Sequence, residues 1–195
     1  ARERGGVLIV DEIYHGLVYE GDYTTALKHA DDAFVINSFS KYFNMTGWRL
    51  GWMVVPPAYV REFDKLSQNV YLSAPTIAQH AALAAFEPAT LAILEARRAE
   101  FKARRDFLAP TLRELGFRIP VIPPGAFYIY ADCSALTKDS FAFARDLLET
   151  AGVAITPGAD FGAHGVERHV RFAYTNAIPV LAEGVKRIAG FIGRR

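Results

Sequence analysis

The sequence predicts an α/β protein in which a mostly parallel sheet is followed by a smaller α/β domain. Residues 7–10 and 34–36 are continuous apolar runs, which are typical of strands covered on both faces. Residues 88–115 place apolar side chains at three-, four- and seven-residue steps, which predicts a long amphipathic helix. Short strand and helix patterns alternate after that helix, and this alternation indicates the second domain.

The composition is that of an ordinary soluble globular protein, with 195 residues, 51% hydrophobic and 22% charged. A formal net charge of +1 gives no electrostatic reason to expect nucleic acid or an anionic membrane as partner. Cys133 is the only cysteine, and His164 and His169 lack partners at ligand spacing, so we expect neither disulfides nor a metal site. No run reaches membrane-spanning length, and the first residues do not resemble a signal peptide. We therefore expect a cytoplasmic protein.

Three strands are predicted in the first part of the chain. Residues 1–6 are typical of a helix end with a glycine stop, and residues 7–10 form the first strand. Because a parallel strand needs neighbours, we expect the chain to begin in the middle of a larger domain. The second strand covers residues 34–38. Too little chain separates it from the third, residues 51–55, for a helical crossover, so the third strand is expected to run antiparallel or to lie on another edge.

Helices follow the third strand. Pro57 is well placed at a helix start, and residues 59–69 and 75–86 predict two helices. Pro110 is expected to kink the long helix or to end its first segment, and Gly116 to cap it. The remaining predicted elements are a strand-like stretch at 117–130, a helix at 140–151, a short strand at 153–155, a strand at 169–174 and a terminal helix at 180–192.

A lysine, two serines and an arginine lie close together after the second strand. Ser38, Ser40 and Lys41 are expected at the carboxyl edge of the sheet, where open α/β folds bind ligands. A partly desolvated lysine at this edge has a lowered pKa, and its amine can attack a carbonyl. Arg49 can supply a forked cation for a phosphate. A lysine that forms a Schiff base beside a phosphate site indicates pyridoxal phosphate.

Six short motifs carry a family resemblance. They are VDEIY at 10–14, SFSK at 38–41, TGWRLG at 46–51, PGAFY at 124–128, TPG at 156–158 with FG at 161–162, and RFAY at 171–174. In this order and spacing they resemble the C-terminal half of a fold-type I pyridoxal-phosphate enzyme, specifically a class I/II aminotransferase. The resemblance spans essentially all of the chain.

This resemblance implies roles in the cofactor site. Lys41 resembles the Schiff-base lysine, which holds the cofactor and later shuttles a proton to and from the substrate. Asp11 resembles the aspartate that pairs with the pyridine nitrogen and keeps it protonated, so that the ring draws electrons from the substrate. Tyr14 resembles the tyrosine that hydrogen-bonds the phenolic oxygen. His15, beside Tyr14, is a further residue that could touch the pocket.

The resemblance also implies two anion positions. Ser38 and Arg49 match the family's phosphate ligands, and Ser40 lies close enough to join them. Arg171 matches the arginine that grips the substrate α-carboxylate through two parallel bonds. The neighbouring Arg168 is interpreted as exposed and solvated.

The implied fold is the end of the fold-type I large domain, with the small C-terminal α/β domain after it. Residues 1–70 are expected to belong to the large domain, 71–87 to its remainder and the connection, and 88–195 to the interdomain helix and small domain. The implied activity moves an amino group between an L-amino acid and a 2-oxo acid by a ping-pong mechanism, in a homodimer of the full-length enzyme. Family features of the N-terminal half have no counterpart here, so the fragment is expected to be inactive alone.

Two alternatives remain open at this point. A carbon–sulfur lyase or a cyclopropane-forming synthase on the same fold would share Lys41, Asp11 and Arg171. The effector domain of a transcription regulator would sense pyridoxal phosphate without catalysis. The loop at residues 44–48 resembles the enzymes more than the regulators, which favours the aminotransferase.

Overall fold

The computed structural model describes residues 2–194, and side chains from residue 3 onward. The chain divides into two compact units, residues 1–98 and 99–195, and the boundary lies inside the long helix. Each unit has its own three-stranded sheet and its own apolar interior.

The sheet of the first unit contains β1 (Ile9–Asp11), β2 (Phe34–Ser38) and β3 (Gly51–Val54), in that order. β1 runs parallel to β2 and β3 antiparallel to it. The antiparallel direction of β3 and the bounds of β2 confirm the sequence prediction. One of the two strand pairings in this sheet is parallel and the other antiparallel. The mostly parallel sheet that the sequence predicts is therefore not formed by this chain alone. The short loop between β2 and β3 leaves no room for a crossover.

β1 is the strand that departs most from expectation. Val7 is 60% exposed and Ile9 63% exposed, so the prediction that this strand is covered on both faces is wrong for this chain. Phe34 and Val35 of β2 are buried, and the rings of Tyr59 and Phe63 pack against Phe34. An apolar run shows which side chains are suited to burial. Whether they are buried depends on the segments that pack against them.

Two predicted helices of the first unit are confirmed, as α1 (Val60–Val70) and α2 (Thr76–Ala84). Pro57 begins a 3₁₀ turn, Pro57–Tyr59, that leads into α1. The helix end predicted at residues 1–6 is one 3₁₀ turn, Arg2–Arg4, followed by Gly5 with a φ of +64°. Ala1 lies outside the described residues.

The long helix α3 (Pro88–Glu114) is confirmed and runs without interruption through Pro110. The prediction that Pro110 ends a first helical segment is therefore wrong. Proline removes one helical hydrogen bond, but Ala109 and Leu112 beside it are fully buried, so tertiary packing holds the helix together. Gly116 has a φ of +94° and ends the helix, while the Phe117 N–H donates to the Leu112 carbonyl at 3.1 Å.

The sheet of the second unit is entirely antiparallel. Its strands are β4 (Tyr128–Asp132), β5 (Thr156–Pro157) and β6 (His169–Ala173), in the order β4-β6-β5. The bounds predicted for this strand, 153–155, are wrong, because the pairing with β6 begins at Thr156. The strand-like stretch at 117–130 contributes β4 and one isolated bridge, from Arg118 to Asp132.

Two helices complete the second unit, α4 (Ser140–Ala151) and α5 (Ile178–Ile192). The bounds of α4 match the prediction, and α5 begins two residues earlier than predicted. Both helices cover an apolar core that includes Phe117, Ile129, Phe143, Leu147, Val170 and Tyr174. Within residues 2–194, no single helix is both long and apolar enough to span a membrane; α2 and α3 meet that test only as a pair, across an 83° bend.

A buried carboxylate at the end of β4 ties the sheet of the second unit to the segment that follows α3. Asp132 is 3% exposed and accepts hydrogen bonds from the Arg118 guanidinium and, at 2.8 Å, from the Ser134 N–H. Burial alone raises the pKa of the Asp132 carboxyl, but the bonds from Ser134 and Arg118 outweigh burial and hold that pKa well below its usual range.

We expect Asp132→Asn to destabilise the protein at pH 7 by about 1–3 kcal/mol, because the amide keeps the shape but loses the charged acceptor. The unfolded-state pKa is about 3.9 and the folded-state pKa is lower, so the stabilisation is fully present above pH 4 and is lost as the pH falls further. Thermal denaturation of both proteins between pH 7 and pH 2 measures this.

The exposed Asp64→Asn change is the control, and it should leave the midpoint nearly unchanged. If the difference in denaturation midpoint between Asp132→Asn and the unaltered protein stays constant down to pH 2, the lowered pKa of Asp132 is contradicted.

Candidate active site

Two strand ends bring the predicted residues of the first unit to one edge of the sheet. β1 ends at Asp11 and its parallel neighbour β2 ends at Ser38, so both chains leave the sheet on the same side. The Glu12 N–H donates to the Ile36 carbonyl at 2.8 Å, which continues the parallel register to the edge. Asp11 is exposed, and its carboxylate accepts from the Ile13 N–H at 3.0 Å.

Lys41 and Tyr14 meet at this edge. The Lys41 Nζ lies 5.7 Å from the centre of the Tyr14 ring, and both side chains are half-buried. A ring face at this distance attracts the ammonium form of the lysine. His15 is turned to a different partner, because its Nδ1 lies 3.3 Å from the Glu12 carboxylate.

The loop that carries Lys41 is fixed by its own hydroxyls. The Ser38 Oγ accepts from the Ser40 N–H at 3.0 Å and donates to the Leu50 carbonyl at 3.3 Å. The Thr46 hydroxyl donates to the Ser40 carbonyl at 2.6 Å. These bonds close the loop around Lys41 and set Ser38 and Ser40 side by side.

Buried aromatic packing lies under the same loop. Phe39 is buried, and its ring contacts those of Phe43, Trp52 and Phe86 at centroid distances of 4.9, 5.0 and 5.8 Å. The Met45 N–H donates to the Phe39 carbonyl at 3.0 Å, and Met45 is also buried. Lys41 is thus held between two anchored residues.

Arg49 stands at the end of the loop in a left-handed backbone conformation, with φ 53° and ψ 51°. It is exposed, and its Nη1 donates to the Thr46 carbonyl at 2.9 Å. A non-glycine residue with this φ is unusual and costs about 1 kcal/mol or more, which the surrounding loop must offset.

A polar network beside Lys41 was missed by the sequence analysis. The Tyr42 hydroxyl donates to the Glu95 carboxylate at 2.6 Å, and Glu95 accepts from Arg98 at 2.6–2.9 Å. Arg98 in turn donates to the Val18 carbonyl at 2.7 Å. A Cβ at position 16 would overlap the Tyr42 ring, so Gly16 makes room for this network. No local sequence signal links Tyr42 to a residue so far along the chain.

Arg171 belongs to the second unit, on β6. Its guanidinium lies between two rings, 5.4 Å from the centre of Tyr128 and 4.6 Å from that of Phe161. The Nη2 donates to the Thr156 hydroxyl at 3.4 Å, whereas the buried Nε has no hydrogen-bond partner among residues 2–194. Arg168 is exposed, as the sequence analysis expected.

The structure therefore gathers six of the seven predicted residues in the first unit. Asp11, Tyr14, Ser38, Ser40, Lys41 and Arg49 lie at the edge where β1 and β2 end. The seventh, Arg171, borders a cavity of about 500 Å³ in the second unit.

Ligands of open α/β sheets bind at the carboxyl ends of the strands, and this edge carries a carboxylate, an amine and an arginine. The family model for aminotransferase class I and II matches residues 1–188, and the chain belongs to this family. The family resemblance drawn from the motifs is thus confirmed.

Individual relatives agree with this assignment. The chain is 41% identical over 187 residues to the valine–pyruvate aminotransferase of Mycobacterium tuberculosis, covering 95% of the chain and 48% of the relative. It is 38% identical over 197 residues to the aspartate/prephenate aminotransferase of Thermus thermophilus, covering 100% of the chain and 50% of the relative. The chain spans about half the length of the curated relatives it matches.

Solved structures give the same picture. An aminotransferase from Mycobacterium tuberculosis superposes with a TM-score of 0.93 at 40% identity, covering 96% of this chain and 49% of that one. A double mutant of Thermus thermophilus aspartate aminotransferase gives a TM-score of 0.90 at 36% identity, covering 97% of this chain and 49% of that one. The chain therefore has the fold of the matching half of these fold-type I enzymes.

We expect Tyr42→Phe to raise the pKa of Glu95 towards its ordinary value of 4.5, because the Tyr42 hydrogen bond is the main cause that lowers it. Burial and the bond to Glu95 raise the pKa of Tyr42 itself to about 12. Carbon-13 NMR titration of the side-chain carboxyls measures the Glu95 change.

Tyr71→Phe is the matched control, since the Tyr71 hydroxyl donates to Ser67 and not to a carboxylate. An unchanged Glu95 titration in Tyr42→Phe would show that the Tyr42 hydroxyl does not lower the pKa of Glu95.

Proposed function

We propose that this chain is the C-terminal half of a pyridoxal-phosphate-dependent aminotransferase, which moves an amino group between an L-amino acid and a 2-oxo acid by a ping-pong mechanism. The observation that carries the proposal is the meeting of Lys41, Tyr14 and the end of β1 at one sheet edge. Membership of the aminotransferase family supports it.

The residues present fit pyridoxal phosphate. The cofactor supplies a reactive carbonyl and an electron-withdrawing ring when bound. Its carbonyl, ring nitrogen and phosphate call for an amine, an acid and phosphate donors, respectively. Lys41, Asp11 and Arg49 offer these groups around one edge, and the left-handed backbone at Arg49 is a local strain of the kind found at ligand sites.

Lys41 holds the cofactor and moves a proton. Its backbone is fixed between Phe39 and Met45, while its side chain is half-buried and close to the Tyr14 ring. Fixing the chain on both sides of a flexible amine lowers the entropy lost when the amine meets its target. Tyr14 lies close enough to Lys41 to donate its hydroxyl to a polar atom held there.

Asp11 acts by its charge. An exposed carboxylate at the end of β1 can face a ring nitrogen and keep it protonated, which makes the ring a stronger electron acceptor. The hydrogen bond from the Ile13 N–H fixes the orientation of the carboxylate.

Ser38, Ser40 and Arg49 hold the phosphate. The bond from Ser38 to the Leu50 carbonyl is 3.3 Å long, so its hydroxyl can exchange that acceptor for a phosphate oxygen at small cost. Arg49 contributes a planar fork suited to a phosphate, in addition to its bond to Thr46.

Arg171 binds the α-carboxylate of the amino acid and of the oxo acid. Its guanidinium borders the cavity and presents a planar fork, which a carboxylate can meet through two parallel bonds. The two flanking rings restrict the orientation of the planar guanidinium. A fixed fork sets the direction of the substrate α-carbon.

We also propose that the full-length protein is a cytoplasmic homodimer. Support comes from apolar side chains that this chain leaves uncovered, among them Val70, Leu72, Ile77 and Leu83, each at least 70% exposed. The rest of the polypeptide and a second subunit are the natural cover for such a surface. Relatives are named aminotransferases or transaminases, which favours amino transfer over the lyase and regulator alternatives.

We expect Lys41 to carry the cofactor. Incubation with pyridoxal phosphate, reduction with borohydride and peptide mass mapping should place the pyridoxyl adduct on Lys41, because it is the lysine fixed at the sheet edge. The experiment uses this chain with and without the polypeptide that supplies the rest of the enzyme. Adduct yield and turnover should both rise on addition.

Lys41→Arg should abolish the adduct and Lys65→Arg should leave it unchanged. An adduct that maps to Lys28, Lys65 or Lys102 would refute the role of Lys41.

We expect Arg171→Lys in the full-length enzyme to lower kcat/KM tenfold or more for every amino acid tested. Lysine keeps the charge but loses the fork, and each tenfold loss corresponds to about 1.4 kcal/mol. Steady-state kinetics with several amino acids measures this. Arg168→Lys, on the exposed neighbour, is the control and should behave like the unaltered enzyme. Equal kinetics for Arg171→Lys would remove Arg171 from the site.

A further inference from the structure

Family membership leaves the substrate side chain open, because relatives are named for valine, for aspartate and for prephenate. We propose that the cavity beside Arg171 is a subsite for an uncharged aromatic or large apolar side chain. This inference rests on the proposed function, in which Arg171 binds the carboxylate. In this proposal, the cavity lining in the second unit selects the class of substrate side chain.

The cavity has the size of a small-molecule site. Its volume is about 500 Å³, within the usual range for ligand pockets. Arg171 forms part of its lining, so a carboxylate that meets Arg171 from this side places its remaining atoms inside the cavity. Those atoms then face Tyr128, Tyr130, Phe161 and Val166.

The charge of the lining disfavours an acidic substrate side chain. Among the described residues that border the cavity, Arg171 is the one permanent cation, and none is a carboxylate. Arg171 is engaged by the α-carboxylate, so a second carboxylate would lose water without gaining a second permanent cation; His164 is the one other basic side chain in the described lining. Ring faces are electron-rich and repel an anion, whereas they pack well on another ring or an aliphatic chain.

The wall is held in place before any ligand arrives. The Tyr130 ring stacks on His169 at 4.9 Å and meets Phe161 edge to face at 5.9 Å. A Cβ at Gly158 would overlap the Val166 and His169 carbonyls, so the turn that leads to Phe161 is packed tightly against its neighbours. A preformed apolar wall loses little entropy on binding.

Carboxylic acids without an amino group test this subsite by binding alone. We would titrate the cofactor-loaded full-length protein with 3-phenylpropanoate, propanoate and succinate by calorimetry. 3-Phenylpropanoate should bind at least tenfold more tightly than the other two, because burial of a phenyl group contributes a factor of about ten or more. Succinate binding as tightly as 3-phenylpropanoate would overturn the proposal.

Two variants localise the effect. Ala163→Phe, at an exposed position on the rim, fills the cavity and should weaken 3-phenylpropanoate about tenfold while propanoate changes little. Phe161→Ala removes one ring and should weaken 3-phenylpropanoate more than propanoate. Phe141→Ala is the matched control, since this ring is 59% exposed on α4, and it should change neither. If Ala163→Phe and Phe161→Ala weaken the binding of 3-phenylpropanoate and of propanoate by the same factor, the subsite is overturned.

The two proposals fail in different ways. If the pyridoxyl adduct does not map to Lys41, the proposed function fails, while the order of acid affinities still tests the cavity. If Lys41 carries the adduct and the enzyme turns over, yet aspartate is the better substrate and is unaffected by Ala163→Phe, the subsite alone is refuted.

Discussion

The parallel pairing of β1 with β2 is the constraint on which the candidate site depends. Parallel strands end at the same edge, so Asp11 and the loop after Ser38 leave the sheet together. The bond from the Glu12 N–H to the Ile36 carbonyl maintains this register up to the last residues before the site. A slip of one residue would turn Asp11 to the opposite face of the sheet, away from the amine of Lys41.

The loop that carries Lys41 is rigid because of its neighbours and not because of the lysine. Phe39 and Met45 are buried on either side of it, and the Tyr42 hydroxyl ties the next residue to Glu95 on α3. A reactive amine has to stay reachable, so it cannot itself be packed away. The sequence therefore assigns the anchoring to Phe39, Tyr42 and Met45, and leaves Lys41 half-buried.

Local signals predicted the fold well wherever local interactions decide it. α4 has the predicted bounds because Asp139 caps its first N–H groups and Gly152 ends it in a left-handed conformation. The coverage predicted for β1 and the segment end predicted at Pro110 were wrong, because both depend on which residues pack against the segment. The candidate loop was visible in the sequence because its residues are contiguous. The Tyr42–Glu95 bond was not, since its partners lie 53 residues apart.

The two arginines assigned to anions share an unfavourable local feature, although they belong to different units. Arg49 occupies a left-handed backbone conformation, and Arg171 buries an Nε that has no acceptor among residues 2–194. Neither feature stabilises the folded chain, and each costs free energy that packing elsewhere must offset. Such costs persist where a group is set in advance for a ligand. Under the proposed function, these costs fall on the two arginines that would bind the phosphate and the carboxylate.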